Sequence, residues 1–138
     1  MPSVFVRLAL CNLRCQWCDT RYTWDWAAYD PRASILPVSP GDAAAWILQR
    51  ATEARNVVVT GGEPLLQQSE LIPLVEMLRA GGLRIEVETN GTIIPAAGLA
   101  AAVDQWNVSP KLANSGNAPD QQESPEALAW FAEEPRAY

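Results

Sequence analysis

The chain alternates between short apolar runs and longer amphipathic stretches. Val4-Phe5-Val6-Arg7-Leu8-Ala9-Leu10 is an apolar, β-branched run broken by one charge, a pattern fit for a mostly buried strand. Asn56-Val57-Val58-Val59-Thr60 reads as a second strand, Leu83 to Glu88 as a third, and Trp106-Asn107-Val108 as a fourth. Between them the period changes. Ser39-Pro40-Gly41-Asp42 supplies the N-cap, first-turn proline and first-turn acid that start a helix, which continues over Ala43 to Ala54. Leu71, Leu74, Val75 and Leu78 stand at i, i+3, i+4 and i+7 of a helix over Ser69 to Ala80, with Pro73 in its opening turn and Gly81-Gly82 as its stop. Pro95 to Val103 predicts a short Ala-rich helix, and Ser124-Pro125-Glu126 caps a last one through Glu134. Arg21 to Pro37 and Leu112 to Glu123 lack periodicity and read as connecting segments; the aromatics Tyr22, Trp24, Trp26 and Tyr29 in the first are expected to pack, covering whatever precedes them.

Four strand–helix alternations imply parallel strands joined by right-handed crossovers, an α/β architecture. Each strand runs into a polar, Gly- or Cys-containing loop: Cys11 to Thr20, Gly61 to Pro64, Thr89 to Gly91, and Ser109 to Lys111. Ligands gather at the carboxyl ends of parallel strands, so these loops should face one cleft. A closed eight-stranded barrel takes ~250 residues. A chain of 138 residues therefore predicts an open, partial (β/α) barrel with its helices outside, as a single unit over residues 1–138 with a tail over 112–138.

Composition narrows the function. With 49% hydrophobic and 19% charged residues the chain has the makings of a core. No apolar run approaches the ~20 residues needed to cross a bilayer, and Arg7 interrupts the N-terminal apolar stretch, unlike a secretory signal. The expected compartment is the cytoplasm, with no membrane partner. A net charge of −6, with Lys and Arg scattered singly, leaves no footprint for a phosphate backbone, so nucleic acid is not an expected partner. The chain has no histidine, which removes the commonest general base and zinc ligand. Chemistry must come from thiolates, carboxylates, lysine or a cofactor.

All three cysteines, Cys11, Cys15 and Cys18, fall within one strand-end loop. An odd count with no export signal argues against a disulfide framework. Zinc wants four ligands, and here only Asp19 stands near the three thiols. An iron–sulfur cube fits better, since each iron needs one protein thiolate: three thiolates hold three irons, and the fourth iron is open to a non-protein ligand.

Cys11-x3-Cys15-x2-Cys18 resembles the signature of radical S-adenosylmethionine enzymes, and Gly61-Gly62-Glu63-Pro64 resembles their second motif. More narrowly, Arg7-x3-Cys11-Asn12-Leu13-Arg14-Cys15-x-Trp17-Cys18-Asp19-Thr20, together with Thr60-Gly-Gly-Glu-Pro, Glu88-Thr-Asn-Gly-Thr and Ser109-Pro110-Lys111, is similar to the 7-carboxy-7-deazaguanine synthase family over most of Ser3 to Asn117. That resemblance implies a lyase of queuosine and deazapurine biosynthesis. In that family a reduced [4Fe–4S] cluster passes one electron to the sulfonium of S-adenosylmethionine, and the resulting 5′-deoxyadenosyl radical takes a hydrogen from 6-carboxy-5,6,7,8-tetrahydropterin, whose ring contracts with loss of ammonia. Mg²⁺, an electron donor such as flavodoxin or ferredoxin, and a homodimer are implied with it.

Residue by residue, the resemblance makes Cys11, Cys15 and Cys18 the cluster ligands and Thr20 the Mg²⁺ ligand, a hard oxygen suited to that ion. It places the backbone of Trp17, Cys18 and Asp19 by the adenosyl group, with Gly62, Glu63, Ser109, Pro110 and Lys111 as further S-adenosylmethionine contacts. Arg7 and Thr60 match substrate contacts, and a guanidinium fork suits a carboxylate-bearing pterin. Plainer readings stand beside these. Glu63 fits a helix cap as well as an amino-group contact, Arg7 an edge residue with its head in solvent, and Asn90-Gly91 an ordinary turn. The family carries an earlier strand with a Gln-Gly-Glu loop, and further strands after the Ser124 helix; neither is found here, so the sheet is expected to expose both edges or have them covered by a partner. Two rival functions share the cysteine spacing: a module that binds the cluster and S-adenosylmethionine without turnover, and an activating enzyme with another target.

Overall fold

Strands β1 (Ser3–Leu8), β2 (Asn56–Gly61), β3 (Arg84–Thr89) and β4 (Gln105–Val108) form one parallel sheet in the order β1-β2-β3-β4 in the computed structural model, which describes residues 2–138. A sequential order means that every crossover steps the same way, so the intervening helices collect on one face. The crossover helices are α2 (Pro40–Arg50), α3 (Gln68–Ala80) and α4 (Ala97–Ala102); the short α1 (Pro31–Ser34) precedes α2, and α5 (Pro119–Gln122) and α6 (Pro125–Glu133) follow β4. The caps read from sequence form: Ser39 Oγ accepts from Asp42 N at 3.1 Å, and Ser124 Oγ from Ala127 N at 3.3 Å.

Alternation along the strands sorts the two faces. Val57, Val59, Ile85, Val87 and Trp106 are fully buried and pack against Ile47, Leu71, Val75, Leu78 and Leu99. Their neighbours in sequence point the other way. There the register aligns Arg7 with Thr60 and Glu88 with Asn107, a polar row across the carboxyl-end third of the sheet. Below it Arg84 NH1 donates to Asn56 Oδ1 at 3.1 Å and pairs with Glu86, while Asn107 Nδ2 donates to Glu86 Oε2 at 3.2 Å. Parallel sheets are ordinarily apolar on both faces. This one is apolar under its helices and mixed on the other face, where Val58 and Phe5 stand among the polar residues.

Several sequence expectations shift. Pro73 lies inside α3 rather than in its opening turn, because a 3₁₀ turn over Pro64–Gln67 leads the helix in and α3 begins at Gln68. α2 ends at Arg50, short of Ala54. The two segments read as connections contain a 3₁₀ turn over Arg21–Thr23 with α1, and a 3₁₀ turn over Ala113–Ser115 with α5. The sheet edges also differ from each other. Residues 136–138 run along β4, where Trp106 N donates to Arg136 O and Val108 N to Tyr138 O, both at 2.8 Å, so the chain's own tail covers that edge. β1 has a neighbour on one side only, and its Phe5 is 65% exposed.

Candidate active site

The cysteine loop leaves β1 through Leu10, whose φ of 72° puts a branched side chain in the left-handed region. That strained turn is held from both sides: Leu10 N donates to Thr23 O and Glu63 N to Leu10 O, each at 2.8 Å. The loop after β2 lies hard against it. A Cβ on Gly62 would stand 2.0 Å from Leu10 O and 2.8 Å from the Cys11 Cβ, so only glycine lets the two backbones meet here. Asn90 ties in the third loop, its Nδ2 donating to Asn12 Oδ1 at 3.0 Å. The segment after β4 ties in the fourth, as Gln16 N donates to Ser115 O at 2.9 Å and Trp17 Nε1 to Asn114 O at 3.1 Å.

The three thiols are unpaired, Cys15 buried and Cys11 and Cys18 half-buried. Burial pushes the Cys11 thiol up to about 11, against the opposing effect of the Leu13 N–H and helped by the negative charges of Glu63, Cys15 and Cys18. A bound metal displaces such a proton. Among the described residues no three Cys, Asp or Glu side chains converge closely enough to hold one metal ion. The thiolates on a cube bind separate irons and stand further apart than the ligands of a single ion. Three thiols that line one cavity supply one thiolate to each of three irons, the ligand count a cube with one open corner needs.

A cavity of about 470 Å³ opens between these loops and the polar row of the sheet. Its size suits a small ligand. Cys11, Cys15, Trp17, Cys18, Asp19 and Thr20 line it from the cysteine loop, Gly62 from the second loop, and Ser109 and Lys111 from the fourth. Arg7 and Thr60 line its floor. Thr60 Oγ1 donates to Glu88 Oε2 at 2.7 Å, whereas Arg7 is exposed and forms no ion pair among the described residues. Lys111 Nζ donates to Ser109 Oγ at 3.0 Å and sits 5.6 Å from the centre of the Trp17 ring.

Two residues expected here are not among the lining ones, Glu63 and Pro110. The Glu63 side chain is fully buried: Oε1 accepts from Leu65 N at 3.0 Å and Thr89 Oγ1 at 2.9 Å, and Oε2 from Asn90 N at 2.7 Å. It is the N-cap of the 3₁₀ turn and the clamp between the second and third loops. Burial raises its pKa, opposed by the three donors and the Lys111 charge. Conversely, Asn107 and Tyr138 line the cavity without having been singled out for it, and Glu88 and Asn90, noted in sequence only as part of a motif, line it too. Strand alternation from Thr60 would have found Glu88 and Asn107; no local signal marks Tyr138.

The chain matches the Radical SAM superfamily over residues 6–115. It is 44% identical over 135 residues to a 7-carboxy-7-deazaguanine synthase of Pyrobaculum aerophilum, covering 94% of this chain and 56% of that one. Against the synthase of Hyperthermus butylicus it is 51% identical over 94 residues, 68% of this chain and 36% of that one. The crystal structure of QueE from Escherichia coli superposes with a TM-score of 0.69 at 32% identity, over 94% of this chain and 58% of that chain. The chain thus spans roughly half or less of the length of the curated relatives it matches. Three strand-end thiols on a parallel sheet, and a family match across most of those elements, place this chain in the radical SAM superfamily, whose members use a [4Fe–4S] cluster and S-adenosylmethionine.

Proposed function

We propose that this chain acts as a 7-carboxy-7-deazaguanine synthase, with the cluster on Cys11, Cys15 and Cys18, Mg²⁺ at Thr20, and 6-carboxytetrahydropterin over the sheet. One observation carries the reading: the three thiols, Thr20, Ser109, Lys111, and the Arg7–Thr60 pair all line a single cavity at the strand ends. The cluster, when bound, supplies the electron that splits the sulfonium of S-adenosylmethionine. The chain's own residues hold and orient. The Arg7 guanidinium, which forms no ion pair among the described residues, offers a bidentate partner for the pterin carboxylate. Thr60, its hydroxyl fixed by Glu88, presents a lone pair to a ring N–H. Trp17, braced by Asn114 O and Lys111, walls the side that S-adenosylmethionine would occupy. A cytoplasmic flavodoxin or ferredoxin as donor, and a homodimer, belong to the same reading.

The test is turnover by the anaerobically reconstituted chain given S-adenosylmethionine, a low-potential reductant, Mg²⁺ and 6-carboxytetrahydropterin, with the product identified by mass. A deazapurine carboxylate is expected, and Arg7→Ala should raise KM for the pterin by about tenfold to a hundredfold, the worth of a lost charge-assisted pair. Cleavage of S-adenosylmethionine with no deazapurine would assign the chain another target. A loaded cluster with neither product would make it a binding module.

A further inference from the structure

Each thiol sulfur in the loop receives one N–H donor. Leu13 N faces Cys11 Sγ at 3.5 Å, a bond made by the loop backbone itself. The other two donors are side chains: Asn117 Nδ2 stands 3.3 Å from Cys15 Sγ, and the Trp24 indole Nε1 stands 3.4 Å from Cys18 Sγ. Both are held for that contact. Asn117 Oδ1 accepts from Arg14 N at 2.8 Å, which fixes the amide's orientation and turns its NH₂ toward Cys15. The second amide hydrogen goes to Ser115 Oγ at 3.1 Å, and Ser115 is fully buried. The guanidinium groups of Arg14 and Arg21 stand over the Trp24 ring, 5.5 and 5.7 Å from its centre, and the Trp24 backbone N–H donates to Arg21 O at 3.0 Å.

We propose that Asn117 and Trp24 are positioning residues that set the reduction potential of the cluster, by donating hydrogen bonds to the Cys15 and Cys18 thiolates; this rests on the cluster assignment made above. A thiolate that accepts a hydrogen bond pushes less charge onto its iron, and the bond strengthens when the cluster gains an electron. The donors therefore stabilise the reduced form and raise the potential. Removing either one makes the cluster harder to reduce. One electron passes from the external reductant to the cluster, and no covalent bond of the chain changes.

The measurement is a redox titration of the anaerobically reconstituted protein with the electron paramagnetic resonance signal of the reduced cluster as readout, on wild type, Trp24→Phe, Asn117→Leu and the double variant. Trp24→Phe keeps an aromatic ring and deletes the indole N–H. Wild-type iron content is expected throughout, with a reduced-to-oxidised ratio about tenfold lower at a fixed poise in each single variant, a shift of ~59 mV for a one-electron couple. The two shifts should add in the double variant. Should Asn117→Leu fail to load, Trp24→Phe decides alone. Unchanged midpoints at full iron loading would overturn the inference, and so would loss of iron from both single variants, which would make the two residues mere supports. A wild-type chain that takes up no iron would instead overturn the cluster assignment itself.

Discussion

At the scale of single residues, the site depends on positions where no other side chain fits. Gly62→Ala would drive a methyl into Leu10 O and Cys11, so it is expected to destabilise the chain by ~2–4 kcal/mol and to lower iron uptake, both checked on the same preparation by urea unfolding and iron assay. Glu63 makes a subtler prediction. Its folded pKa is raised above the ordinary 4.5, chiefly by burial, so ionisation is harder in the folded chain than in the unfolded one. Its contribution to stability is then greatest below 4.5 and declines as pH rises through the folded value. Glu63→Gln, which carries no charge at any pH, turns an amide N–H against Asn90 N and should cost ~1–3 kcal/mol. Urea midpoints of the metal-free chain should show that deficit larger near pH 4.5 than near pH 8; a deficit that grows with pH would refute the assignment.

The elements themselves were largely legible in the sequence, for reasons that differ from one to the next. The 3.6-residue spacing of Leu71, Leu74, Val75 and Leu78 and the Ser39 and Ser124 caps report local physics, and the corresponding helices form where expected. The cavity's lining from the cysteine loop could be read because it lies in one short stretch. What could not be read was long-range. Asn117 meets Cys15 across 102 residues of chain, and Tyr138 folds back along β4, with nothing in either neighbourhood to announce the contact. Glu63 shows a second kind of limit, since an acid before a helix suits a cap and a ligand contact equally until its three donors are seen. Asp104 is a further case of a link made by folding. Its Oδ2 accepts from Ile85 N at 2.8 Å and Arg79 NH1 at 2.7 Å, joining α3 to β3. Partial burial works to raise its pKa, but Arg79, the Ile85 N–H and Arg84 outweigh it and hold the carboxyl below 3.8. That stability is present above 3.8 and lost as pH falls through the folded value. Asp104→Asn should therefore cost up to ~1 kcal/mol at neutral pH, discounted for solvent exposure, and thermal unfolding of the two chains should show that deficit shrinking as pH falls below 3.8.

For the whole molecule, a single asymmetry of the sheet organises the function. One face is apolar and closed by helices; the other carries, at its carboxyl end, the polar row of Arg7, Thr60, Glu88 and Asn107 that shares a cavity with the thiols. The strand ends bring four loops to one cavity, and Gly62, Asn90 and Ser115 lock those loops to the cysteine segment. The central claim is that this arrangement grips a four-iron cube by three corners and leaves the last for S-adenosylmethionine. The most direct test is the electron paramagnetic resonance spectrum of the reduced, anaerobically reconstituted chain before and after S-adenosylmethionine is added, with iron counted on the same sample. About four irons per chain and a cluster signal whose shape changes on addition are the predicted result; a full cluster signal indifferent to S-adenosylmethionine, or a chain that retains only zinc, would contradict it.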